Sequence, residues 1–293
     1  MMTMSPNRAN KGFSLIELLV ALTIGLLITL VVLQAYLGGL GTQNAQTDAT
    51  RAQESSRLAF DLLSHSLRQA GYKNPKAPGG PSFCNSSEAR IVTINDPATI
   101  SPTAANLSGS LVTVVNNSDA FKVRYYGEGM VVSPFTTDNS IRDCLGNPVA
   151  PNVLVEDTFF ISADSNNGNE PTLYCYTTND AARGNVPLVA GIESMQILYG
   201  DDTDSDGIIN RYIRGGSSVS AANNIRSVRL SMIARTPSPT AADNSARTID
   251  HFGADYSSIV DQNTDRRQFT TPTDGRSRRH TSTTIALRNL CPV

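Results

Sequence analysis

The sequence predicts an α+β fold in which one long N-terminal helix, transmembrane in its first half and amphipathic in its second, packs on a C-terminal antiparallel β-rich globular head. Three observations predict it. From Phe13 to about Leu33 the chain is apolar except for Glu17. From Ala45 to Ala70 small and apolar residues recur at three- and four-residue spacing. Beyond that the chain has no Trp, and Ser, Thr, Asn and Gly crowd between short alternating runs, a composition suited to strands joined by many turns. At 293 residues and 40% hydrophobic content there is enough material for a packed core. The 24 Lys and Arg against 26 Asp and Glu leave a formal charge of -2, so no overall field points to nucleic acid or to an acidic substrate.

The apolar stretch is long enough to cross a bilayer as a helix, since about 20 residues at roughly 1.5 Å each span the hydrocarbon. Arg8 and Lys11 precede it, so the leader stays on the cytoplasmic side and the body crosses. No small-residue cleavage site of the ordinary secretory kind follows the stretch, which argues that the helix is kept. A carboxylate in hydrocarbon costs at least about 2.5 to 3.5 kcal/mol, so Glu17 calls for a partner. The plainer alternative is an acid near the headgroups of a simple anchor.

Gly12-Phe13-Ser14-Leu15-Ile16-Glu17 resembles the class III signal of type IV prepilins and of type II secretion pseudopilins. The resemblance implies that a prepilin peptidase cuts between Gly12 and Phe13 and methylates the new amine on Phe13. It also implies that Glu17 pairs with the processed amine of a neighbouring subunit and sets its axial register. The chain then divides into a leader 1–12, a transmembrane helix half 13–41, an amphipathic periplasmic helix half 42–72 and a head 73–293.

Gly38-Gly39-Leu40-Gly41 should bend or locally melt the helix, because each Gly costs about 0.8 to 1.0 kcal/mol relative to Ala. The stripe that follows, Ala45, Ala49, Ala52, Ser56, Ala59, Leu63, Leu67 and Ala70, should face a core. Asp48, Arg51, Glu54, Arg57 and Asp61 supply a charged face, with Arg51–Glu54 and Arg57–Asp61 at pairing distance. The small residues suit close contact in a filament and equally suit packing on the protein's own sheet. Gly71 ends the helix. Strands are predicted at 90–94, 110–115, 120–126, 153–162, 172–177, 191–199, 225–235 and 283–288. In the seventh, Val228, Leu230 and Met232 share one face and Arg229 and Ser231 the other, as in a sheet with one wet side.

In the head, 191–200, the acidic stretch 202–207, Ser227-Val228-Arg229-Leu230 and Leu287-Arg288-Asn289 resemble the PilW minor pilins. That resemblance implies a type IV pilin-like fold. It implies a low-abundance pilus subunit that joins other minor pilins at the tip, primes polymerisation of the major pilin, and helps present a tip adhesin. A GspJ-like minor pseudopilin of a type II secretion system would share processing, anchor and fold. A membrane-anchored calcium-binding domain outside any filament is the reading from a different class.

Asp202, Asp204 and Asp206, followed by Gly207, match the first half of a calcium loop, with the Ile208 carbonyl and Asn210 as further ligands. Ile213 stands where an EF-hand places its bidentate Glu, and strand residues precede the loop, so an EF-hand is excluded. An acidic hairpin turn is the alternative. Arg276, Arg278, Arg279 and His280 form a short basic run before the last strand; without interleaved aromatics it reads as a solvated loop and not as a nucleic-acid site. His65, His251 and His280 belong to no recognisable catalytic motif, and a non-enzyme is expected. Cys84, Cys144, Cys175 and Cys291 contain no CxxC pair, which argues against zinc and for disulfides in an oxidising compartment. Of the three pairings, Cys144–Cys175 with Cys84–Cys291 is favoured, the first closing a local loop and the second pinning the C-terminus.

Overall fold

The computed structural model describes residues 12, 14–74, 91–94, 118–130, 136–213, 224–239, 245–253 and 268–290. The predicted strand at 110–115, the leader through Lys11, Phe13, Cys84 and Cys291 lie outside them. The chain forms two compact units, Met1–Thr47 and Asp48–Val293.

Helix α1 runs Leu15–Gln69. It continues without a break through Gly38–Gly41, where the sequence suggested melting; helical hydrogen bonds hold there, and Thr42 Oγ1 donates back to the Gly38 carbonyl at 3.1 Å. In the first unit its apolar side chains, Leu15 to Leu40, are exposed. This one helix is long and apolar enough to cross a membrane.

In the second unit, α1 buries Ala52, Ser56, Ala59, Phe60, Leu63 and Leu67, most of the expected stripe. Two of its members depart: Ala45 is only half-buried and Ala49 is exposed, while Asp48, assigned to the charged face, is buried. No ion pair joins Arg51 to Glu54 or Arg57 to Asp61 among the described residues. The helix ends where Gly71 takes φ +72°, a left-handed turn that glycine adopts without strain, and its amide donates to the Arg124 carbonyl at 2.8 Å.

The strands form two antiparallel sheets. The first has five strands in the order β1-β2-β5-β6-β7: β1 Ile91–Ile94, β2 Ala120–Tyr126, β5 Leu154–Asp164, β6 Glu170–Thr177 and β7 Val186–Ala190. The second has four, β13-β10-β8-β9: β8 Ile192–Asp201, β9 Arg211–Ile213, β10 Ile225–Arg235 and β13 Arg278–Ala286. Two short ribbons, β3–β4 (Gly129–Met130 with Thr136–Thr137) and β11–β12 (Thr248–Asp250 with Gln268–Thr270), complete the described strands.

One apolar core gathers Leu63 and Leu67 of the helix, Phe121, Val123 and Phe159 of the first sheet, and Ile197, Leu230 and Met232 of the second. The sheets are stitched where Asp119 Oδ2 accepts the Ile197 amide at 2.9 Å. The expected wet face of β10 is not wet: Ser231 is fully buried, and Arg229 lies over the Phe252 ring at 5.6 Å. The 248–252 segment covers that face, a long-range contact that alternation within one strand does not encode.

Candidate functional site

Gly12 is exposed just before α1, and Glu17 sits in the helix's first turn. The Ser14 carbonyl accepts the amides of Glu17 at 3.0 Å and Leu18 at 3.1 Å. The positive end of the helix dipole favours an acid there. Ser14-x-x-Glu17 is also capping-box spacing, a helix-start signal present in the sequence. Around Glu17, Leu15, Ile16, Leu18, Leu19 and Val20 are all exposed, so among the described residues the acid is a single exposed charge on an exposed apolar surface.

The acidic stretch is the loop of the β8–β9 hairpin, closed by the Asp201↔Arg211 pair. Carboxylate oxygens of Asp202, Asp204 and Asp206 lie within 4.8 Å of one another. Asp202 is buried and organises the turn: Oδ1 accepts the Asp206 amide at 3.2 Å, and Oδ2 accepts the Gly207 amide and Arg226 Nε, both at 2.9 Å. Burial raises the Asp202 carboxyl, but the Gly207 amide and Arg226 outweigh it and hold the group below its ordinary value. Ser205 at φ +61° and Gly207 at φ +93° let the chain fold back over so short a span. Asn210 faces inward, yet its Oδ1 accepts the Thr203 amide at 2.6 Å, so it closes the loop and would have to turn to serve as a ligand. Ile208 is exposed at the loop's surface. An all-oxygen set of three convergent carboxylates is the donor chemistry that calcium takes.

The basic run is not a solvated loop. β13 begins at Arg278, five residues earlier than expected, so Arg278, Arg279 and His280 are strand residues paired with β10. Arg278 holds Glu193 through Nε at 2.7 Å and Asp274 through Nη1 at 2.7 Å. Arg235 holds Glu170 at 2.8 Å, and Arg276 lies 3.6 Å from the same carboxylate. Three arginines and three acids thus neutralise one another at the end of the second sheet. Arg278 and Arg276 hold Asp274 down to about 2, although partial burial pushes it the other way.

Comparison with known families bears on these readings. Residues 7–33 match the prokaryotic N-terminal methylation motif, and residues 158–289 match PilW, the type IV pilus-assembly protein W family. The chain carries a PilW region behind an N-terminal methylation motif. The match to PilW spans β5 through β13 and includes the Asp loop and the arginine network. Among solved structures the chain is similar to the type IV-like pilin TTHA1219 from Thermus thermophilus, at 11% identity and a TM-score of 0.43, over 82% of this chain and 97% of that one. No curated protein sequence matches it.

Within the PilW-matched region lies a buried polar cluster that the sequence does not announce. Ser194 Oγ and Ser231 Oγ sit 3.0 Å and 2.9 Å from the two ring nitrogens of His251, and Ser231 Oγ is also 2.8 Å from His280 Nε2. Burial, with His280 nearby, pushes the His251 imidazolium down to about 3, so the ring is neutral at physiological pH. Ser194, Ser231 and His251 are buried, which leaves no exposed nucleophile here. His65 lies on α1 at an exposed position.

Cys144 and Cys175 form a disulfide that ties the 141–148 loop to β6. Beside it, Asp157 Oδ2 accepts the Tyr125 hydroxyl at 2.5 Å and the Cys144 amide at 2.9 Å.

Proposed function

We propose that this protein is a minor pilin of the type IV pilus that works by assembly and contact, without catalysis. A prepilin peptidase cuts between Gly12 and Phe13 and methylates Phe13. The apolar half of α1 holds the chain in the inner membrane, N-terminus in the cytoplasm and head in the periplasm. It then joins other minor pilins in a tip complex that primes the major pilin, supports a tip adhesin, and so supports adhesion and twitching motility. The observation that carries this reading is Glu17, a lone acid on an exposed apolar helix turn four residues after the cleavage position. In hydrocarbon it is neutralised by a partner, and a second subunit's freshly made N-terminal amine has the charge and the depth to be that partner.

Calcium in the Asp202–Asp206 loop would brace the β8–β9 hairpin and add no chemistry.

The test is Glu17→Val in the native host. The variant is expected to insert and be cleaved normally, with mature protein starting at Phe13, but to lose co-purification with other minor pilins and to reduce surface pili. Unchanged piliation and co-purification would refute the role of Glu17. Deleting the gene separates the alternatives: loss of pili supports the minor pilin, whereas retention of a secreted enzyme with pili intact supports the GspJ-like pseudopilin. A mature protein that still carries residues through Gly12 supports the anchored calcium-binding domain.

A further inference from the structure

The Cys144–Cys175 disulfide has a buried acid beside it. In the β5–β6 pair Asp157 stands opposite Thr177 and Phe159 opposite Cys175, so Asp157 and Cys175 are diagonal neighbours on one face of the sheet. Cys144 reaches the same point from the 141–148 loop. A carboxylate oxygen of Asp157 and both sulfurs lie within 4.8 Å of one another. The need to anchor the loop explains Oδ2, which takes Tyr125 and the Cys144 amide. It does not explain Oδ1, which is buried and makes no hydrogen bond of good geometry, although the Thr177 hydroxyl opposite pulls on the carboxylate. A fully buried carboxylate with an open oxygen is costly unless it serves the groups it faces.

We propose that Asp157 is the internal proton acceptor for closure of the Cys144–Cys175 disulfide, with an external disulfide as the oxidant. Exposure sets the order of events: Cys144 is half-buried and Cys175 fully buried, so Cys144 meets the oxidant. After Cys144 loses its proton to water, its thiolate attacks the external disulfide RS–SR; that S–S bond breaks, Cys144–S–SR forms, and the RS⁻ released is protonated by solvent. The Cys175 thiol then gives its proton to Asp157 as its sulfur attacks the Cys144 sulfur. The bond to SR breaks and RS⁻ leaves with the electron pair. Overall, two protein thiols are oxidised and one external disulfide is reduced to two thiols.

The proton balance supports the step. Burial raises the Asp157 carboxyl to about 7, although the hydroxyls of Tyr125 and Thr177 and the Cys144 amide pull it down, and Asp143 adds to the rise. A thiol near 8.5 then gives up its proton across a gap of about 1.5 units, against about 4.6 units for an ordinary Asp. The ionisable groups facing Asp157 are Tyr125 on β2, Asp143 in the loop and the two cysteines themselves. The Asp143 charge reinforces proton uptake, whereas Tyr125, held protonated by burial, donates to the carboxylate and opposes it.

The experiment uses the full chain in detergent micelles, reduced with dithiothreitol and reoxidised with oxidised glutathione between pH 5.5 and 8.5. Acid quenching, alkylation and peptide mass spectrometry then follow Cys144 and Cys175 separately. Wild-type closure is expected to accelerate through neutrality and level off. Asp157→Asn is expected to close at least tenfold more slowly at pH 7.5 and to accumulate the Cys144–glutathione mixed disulfide, as loss of a general base predicts. An Asp157→Asn rate and pH profile equal to wild type overturns the proposal. Should that variant not fold, Tyr125→Phe decides. It keeps the carboxylate but removes a bond to its charged form, so the step must move to higher pH; an unmoved step overturns the proposal.

Discussion

Arg278 and Arg279 are neighbours in sequence with opposite fates, and replacing each by Met separates buried from exposed charge. The Arg278 side chain is 4% exposed and that of its partner Glu193 is 2% exposed, with bonds from Nε at 2.7 Å and Nη2 at 3.1 Å. Removing the cation of a buried pair leaves an uncompensated charge and costs about 3 to 5 kcal/mol. Arg235 stays 3.5 Å from Glu193 and shields part of the loss, which points to the lower end, about 3 kcal/mol. At about 2 to 4 °C per kcal/mol for a body of this size, Arg278→Met should lower Tm by about 6 to 12 °C. Arg279 is exposed and makes a long polar contact with Gln53 Oε1 at 3.5 Å, so Arg279→Met should stay within about 0.5 kcal/mol of wild type. Adding Glu193→Gln to Arg278→Met should recover part of the loss, because the stranded charge is gone. Calorimetry of the full chain in detergent makes the comparison, and equal Tm values for the two single variants would show that the network is not buried as described.

Two further outcomes follow from the titratable groups and the loop. His251 is neutral in the fold down to about 3 and protonates near 6.5 when unfolded, so its contribution is full above pH 6.5 and is lost as pH falls toward 3. Asp157 is protonated in the fold up to about 7, so its contribution is full below pH 3.8 and is lost as pH rises toward 7. The slopes oppose each other, and unfolding by urea between pH 4 and 6.5 should tilt one way in His251→Gln, falling with pH, and the other way in Asp157→Asn. Tilts of the same sign in both variants contradict these assignments. Calcium at about 100 times its dissociation constant should raise stability by about 2.7 kcal/mol in wild type and not in Asp204→Asn; calorimetry that detects no binding at millimolar calcium removes the ion from the loop.

How much of this was legible in the sequence depended on the range of the interactions. The helix, its apolar half and its end at Gly71 are local, and they were readable from period and composition. So were β2 and β10, whose bounds match the expected 120–126 and 225–235. The Asp loop was visible because its carboxylates stand at alternate positions of one short stretch, Asp202 to Asp206. The arginine network and the His251 cluster were not, because each draws on segments far apart. Ser194, Ser231, His251 and His280 belong to four different segments, and each alone reads as a residue facing water. Asp48 was misplaced for the same reason: helical spacing assigns a face, but the neighbour that covers it comes from elsewhere. β13 was read as starting late because three basic and polar residues at its head look like a loop until Glu193 and Asp274 are placed against them.

The end of α1 is finished by the far end of the chain. Asn289 Nδ2 reaches the carbonyls of Arg68, Gln69 and Ala70 at 3.1 to 3.4 Å across some 220 positions of sequence. These carbonyls therefore lack this donor until residue 289 has been synthesised. Until then the second sheet also lacks its border strand β13, so a product cut short before β13 would carry an unfinished helix end together with an unpaired edge on β10.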